Sequence, residues 1–217
     1  MINLRKGNEP QSLQLNSEAW TNRLIEVTNS DGTPTATELT RYNQPDVKAA
    51  LLIETNEKCA YCESKFRHVE PGDIEHITPK RNGPEWRFRW RNLTIACSNC
   101  NTAKGTHEGL LDPYEDNVNE HLYIAGPMIL GAHNSEKGQF SETVLRLNRR
   151  DLLDKRVERL KNLHRLFCQA QSFVNPEYRE ALLVDLRDQE TLDNQEYAAV
   201  SRAFVNELVS RGLIPAA

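Results

Sequence analysis

Apolar residues recur at helical spacing through the last third of the chain. In "NRRDLLDKRVERLKNLHRLFCQA" they fall at 153, 157, 160, 163, 167 and 170, the stripe of one buried helix face. Asn148 is the expected N-cap of that helix. "NPEYREALLVDLRDQE" predicts a second helix, with Asn175 as cap and Pro176 in its first turn. "DNQEYAAVSRAFVNELVSRG" predicts a third, with Asp193 and Glu196 at capping-box spacing and Gly212 just past its end. Near the start, helical patterning covers 17–27 and, after Pro45, "PDVKAALLIETNEK" with Val47, Ala50, Leu51 and Ile53.

Between about 58 and 106 that rhythm stops. Pro71, Gly72, Pro79, Gly83 and Pro84 punctuate a stretch in which two short strands are expected, around 73–77 and 92–96, joined by a long loop. "CSNCNTAKG" then reads as a helix that ends at Gly105. The expected fold is mainly α with a small, metal-held ββα element, an α+β arrangement. Composition divides it into an N-terminal helix-and-loop segment (1–57), the island (58–106) and a helical region (107–217) expected to dock a partner. No repeat or low-complexity tract interrupts it.

The chain is polar, with 38% hydrophobic and 27% charged residues and a net charge of −4. No window offers the roughly 18 apolar residues of a membrane span. "MINLRKGNEP" lacks the apolar run of a signal peptide, so a cytoplasmic setting is expected. Charge is unevenly spread. Residues 58–106 hold nine Lys/Arg and five Asp/Glu, a balance of +4 that leaves −8 elsewhere. A basic island in an acidic chain suits a local polyanion site.

Four of the five cysteines form two C-x-x-C pairs, Cys59/Cys62 and Cys97/Cys100. In a reducing compartment such pairs indicate metal binding rather than disulfides. Together they complete a tetrahedral set for Zn²⁺ with no open position, hence a structural ion. Cys168, beside the apolar stripe, is expected to be a buried or half-buried thiol.

The residues framed by the cysteines carry different chemistry. Glu75 and His76 are adjacent at a strand end, and Asn101 lies three residues before Lys104 on one helix face. A carboxylate and a carboxamide oxygen are hard donors suited to Mg²⁺ or Mn²⁺. A neutral imidazole is the usual general base near pH 7. Asn92, nine residues before Asn101, is placed to bond across a loop and fix that ring. "WRFRWR" interleaves arginines with aromatics, as phosphate contact plus base stacking requires, or as an amphipathic strand would.

On Glu75-His76, Asn92 and Asn101, bracketed by the paired cysteines, the chain resembles the HNH (ββα-metal, His-Me finger) nucleases. The resemblance implies that His76 deprotonates a water, Asn92 orients the His76 ring, and Glu75 and Asn101 hold one divalent ion. Glu75 stands where relatives often carry Asp. "KGNEPQSL", "CAYCE", "IEHITPK" and "ETVLRLNRRDLLDKR" extend the likeness to the PtuB-type HNH effectors of Septu anti-phage systems, retron-associated ones included. That implies an ABC/SMC-like ATPase partner of the PtuA type. The expected function is thus metal-dependent cleavage of DNA or RNA, with Lys80, Arg81, Arg87, Arg89, Arg91 and Lys104 as nucleic-acid contacts.

Two other classes compete. A non-catalytic zinc module that binds nucleic acid or protein needs the cysteines but neither the base nor the hard donors. A zinc deaminase needs an open zinc and an H-x-E arrangement, where this chain has E-H.

Overall fold

In the computed structural model, which describes residues 1–216, the chain divides into two compact units. One comprises residues 3–60 and 65–116, and the other residues 1–2, 61–64 and the chain from 117 onward. Residues 3–57 thus pack with most of the cysteine island, across the division drawn on composition.

The first unit opens with α1 (Gln11–Asn29), longer than expected, whose Leu13, Leu24 and Val27 are buried. Each such side chain contributes roughly 1.5–3 kcal/mol on burial. The short α2 (Ala36–Leu39) is closed by a Thr35/Glu38 capping box. Next comes α3 (Pro45–Glu54), with Pro45 in the first turn and Val47 and Leu51 inward.

Both expected strands form: β1 (Asp73–His76) pairs antiparallel with β2 (Leu93–Ala96), with Ile74 opposite Ile95 and Glu75 opposite Thr94. Gly72 enters β1 at φ +72°, where a Cβ would come within 2.3 Å of the Phe66 ring; only glycine fits there. The connection is not a plain loop. It contains α4 (Pro84–Arg87) and a 3₁₀ turn at Trp90–Asn92, so "WRFRWR" forms no strand. Its Phe88 and Trp90 are core residues. α5 (Ser98–Lys104) follows and stops at Gly105, φ +50°.

The second unit holds α6 (Val118–His121), an unexpected hairpin β3 (Leu122–Ala125) and β4 (Met128–Gly131), and α7 (Glu136–Val144) capped by Ser135. The hairpin turns through Gly126 at φ +59° followed by Pro127, a two-residue loop with glycine first. Three long helices complete it: α8 (Arg150–Gln171), α9 (Pro176–Asp188) and α10 (Ala198–Ser210). Their shared core gathers Leu163, Ala170, Leu183, Leu186, Val205 and Ile214. No described helix is long and apolar enough to cross a membrane.

Asn175 caps α9 as expected, accepting from Glu177 N. Two other expected caps do not form. Asn148 instead imitates a strand neighbour, accepting from Ile129 N at 2.9 Å and donating to Ile129 O at 2.7 Å, and Arg149 takes the N-cap position of α8. Asp193 pairs with Arg202, and α10 starts only after Tyr197, which is left-handed at φ +55°. Tyr197 is held there by its hydroxyl, 2.9 Å from Ser64 Oγ. Cys168 is exposed, 3.6 Å from His164 Nε2 one turn earlier, a correction to its expected burial.

Candidate active site

The cysteine pairs are carried by the turn after α3 and by the start of α5, where Cys97 is the N-cap and Cys100 lies in the first turn. All four are buried and their sulfurs lie within 4.8 Å of one another. Tetrahedral sulfurs about 2.3 Å from a common ion are spaced on that scale, so the set fits Zn²⁺. Four thiolates leave no position for water. Ala60 N donates to Ile95 O at 3.0 Å, fastening the first cysteine turn to β2.

β1 ends in the candidate catalytic pair. His76 is 2% exposed. Its Nε2 lies 2.9 Å from the Arg87 carbonyl oxygen. A carbonyl can only accept, so Nε2 carries the proton and Nδ1 keeps a lone pair. Nδ1 is buried and has no hydrogen-bond partner among the described residues. Burial holds the imidazole far below its usual range, at about 3; the bond to the Arg87 carbonyl opposes this, and the positive charges of Lys80, Arg87 and Lys104 reinforce it. The ring is therefore neutral across the physiological range.

Glu75 Oε1 is 2.8 Å from Lys104 Nζ. Burial raises the Glu75 pKa, and Lys104 opposes that shift. Lys104 is 1% exposed and also donates to His76 O at 2.7 Å. It ties α5 to β1 and is no surface phosphate contact, which corrects the expectation for this residue. Asn101, half-buried on α5, donates from Nδ2 to Asp73 Oδ2 at 2.8 Å.

Asn92 is buried and bonds across the loop: Oδ1 accepts from Thr78 N at 2.7 Å, and Nδ2 donates to Thr78 O and Trp86 O. The imidazole itself donates from Nε2 to the Arg87 carbonyl, next to that anchor. Asn92 thus shapes the loop that presents the carbonyl. The basic residues separate by environment. Lys80 is exposed with Nζ 3.2 Å from Tyr42 Oη. Arg87 is half-buried and donates to Leu39 O at 2.9 Å. Arg89 lies over the Trp86 ring at 5.2 Å. Arg81 and Arg91 are exposed and pair with Glu108 and Glu115.

Two further residues stand beside these groups. Tyr42 stands edge-on to the His76 ring, centroids 4.6 Å apart and planes at 86°; it lies 34 positions upstream in an irregular turn, where no periodicity points to it. Asp73 was legible in principle. It lies two residues before Glu75 on a strand and so shares its face.

A strand pair followed by a helix, pinned by four cysteines and ending in a buried histidine beside a carboxylate, is the frame of a ββα nuclease. Residues 59–107 match the family model described as HNH endonuclease, and this segment is an HNH endonuclease domain. Over a longer stretch the chain is similar to "Septu protein PtuB" of Bacillus thuringiensis, 33% identical over 159 residues, covering 70% of this chain and 57% of that protein. It is also similar to "Septu protein PtuB" of Bacillus mycoides (strain KBAB4), 31% identical over 157 residues, covering 56% of this chain and 53% of the relative. The chain spans about half the length of the curated relatives it matches.

Proposed function

We propose that this protein is a metal-dependent endonuclease that hydrolyses phosphodiester bonds of DNA or RNA, with His76 as general base. The observation that carries this reading is the His76 ring itself. Its Nε2–H is spent on the Arg87 carbonyl, and its Nδ1 lone pair is buried without a partner. That nitrogen takes the proton of an attacking water. The low pKa keeps the lone pair available, and the negative charge of a bound phosphodiester moves it back toward a working range.

Glu75 and Asn101 supply the hard oxygens that would hold Mg²⁺ or Mn²⁺, which, when bound, stabilises charge on the phosphate and leaving oxygen. The donor set fits. A carboxylate offers several acceptor positions, so the Lys104 contact leaves Glu75 able to ligate. With Nδ2 committed to Asp73, Asn101 keeps Oδ1 for a cation. Asn92 and Tyr42 hold the imidazole from its two sides, one through the loop and one by ring contact. Lys80, Arg89, Arg81 and Arg91 are the exposed cations that would meet the phosphate backbone.

The similarity to PtuB proteins supports a role as effector in anti-phage defence, controlled by an ABC/SMC-like ATPase that docks on the helical region 107–217. Incubation of the zinc-loaded protein with plasmid, single-stranded DNA and total tRNA, with Mg²⁺ or Mn²⁺ and with EDTA, tests the chemistry. Metal-dependent cleavage of at least one substrate is expected, alone or together with the product of the neighbouring reading frame. Co-expression with that neighbouring reading frame tests the partner, and separate elution on size exclusion would remove it.

A further inference from the structure

α5 meets β1 through two polar rungs. Lys104 reaches Glu75 at 2.8 Å, and Asn101 Nδ2 reaches Asp73 Oδ2 at 2.8 Å. The first rung neutralises a buried carboxylate. The second joins a carboxamide to a more exposed carboxylate, and its effect depends on which way the amide is turned.

A carboxamide has an oxygen that binds a hard cation and a nitrogen that does not. The two ends have nearly the same shape, so packing alone selects weakly between the flips. An ionised carboxylate is acceptor-only and admits only the nitrogen. We propose that Asp73 is a positioning residue for the catalytic cation: by accepting from Nδ2 it locks the Asn101 amide with Oδ1 turned away from Asp73 and available for coordination. This rests on the reading that Asn101 holds the catalytic ion. Period two along β1 supports it, since Asp73 and Glu75 share the strand face against which α5 presents both Asn101 and Lys104.

The test is Mn²⁺ affinity of the full-length, zinc-loaded protein without nucleic acid, read from the free-ion EPR signal, with zinc content and circular dichroism as fold controls. Asn101→Ala is expected to weaken Mn²⁺ binding by about tenfold or more; an unchanged affinity would remove Asn101 as a ligand and the inference with it. Asp73→Ala is expected to weaken binding several-fold in the wild-type background and to have no further effect in Asn101→Ala, the signature of action through one partner. Asp73→Asn still offers an oxygen to Nδ2 but also a nitrogen to Oδ1, so both flips become comparable and the loss is about twofold. Equal, large losses in Asp73→Asn and Asp73→Ala would show that Asp73 acts by charge or as a ligand and would overturn the positioning role. So would an Asp73→Ala protein with wild-type affinity while Asn101→Ala is impaired.

Discussion

The cysteine cluster and the Glu75/His76/Asn101 group are carried within the same fifty residues, yet they are built on opposite rules. The cysteines are all buried, chemically identical and complete, four soft donors for one ion. Nothing is left over for substrate. The second group mixes a carboxylate, an imidazole and a carboxamide, and it leaves a buried nitrogen without a partner. An unpartnered buried polar atom costs roughly 1–3 kcal/mol. In the function proposed above, the closed site holds the frame in place and the open one performs the hydrolysis on it.

The largest effect should come from breaking the closed site. Cys97→Ser removes a thiolate from a set with no spare ligand, and for structural zinc the binding energy is folding energy. Loss of zinc and of soluble, folded protein is expected, read by metal analysis and circular dichroism. A soluble Cys97→Ser protein with a full zinc complement would show that the cluster is not a zinc-dependent frame.

Lys104→Met comes next, because it strands the Glu75 carboxylate in a buried site. Losing one partner of a buried pair costs about 3–5 kcal/mol. A large fall in the urea midpoint is expected, with zinc retained under native conditions. A midpoint at the wild-type value would place Lys104 outside the fold's essential ties.

His76→Ala sharpens the contrast from the open side. Cleavage should fall at least about 10²-fold, while zinc content and the circular dichroism of the folded protein stay near wild type. Undiminished cleavage at the same metal concentration and pH would take His76 out of the mechanism.

The smallest effect concerns Lys6, which belongs to neither site. Its ammonium lies 3.0 Å from Glu54, 2.6 Å from Leu93 O and 3.7 Å from the Trp90 ring centroid, and burial lowers its pKa to about 8. Between pH 8 and its unfolded value of 10.5 the unfolded chain holds this proton and the folded one does not. Its contribution to stability therefore rises with pH across that window. From pH 7.5 to 9.5 the wild type should gain roughly 1–2 kcal/mol relative to Lys6→Met. Parallel urea midpoints for the two proteins over that interval would refute the shift.

Local patterns made much of this readable. Two C-x-x-C pairs announce a metal by spacing alone, because both sulfurs of one turn reach one ion. The α5 stop at Gly105 and the Asn175 cap of α9 also follow from single residues. The β3–β4 hairpin has no such signature, since "LYIA" and "MILG" are four-residue apolar runs with no alternation to distinguish them from loop or helix. Asn148 and Asp193 have the right chemistry for caps, but Ile129 and Arg202 claim their side chains. A cap and a long-range partner compete for the same oxygen, and the sequence lists only the first.

What the sequence by itself determined is therefore the set of reactive groups and their order: four thiols, an acid–histidine pair, and two asparagines at fixed intervals. What only the tertiary structure decided is which of them touch. It placed Tyr42 against the His76 ring and the Arg87 carbonyl on its Nε2, fixing the tautomer. It buried Lys104 against Glu75 and gave the Asn101 amide to Asp73. Spacing along a chain governs which residues share a face. Contacts across a loop or between a helix and a strand depend on how those faces meet, and that is settled by packing.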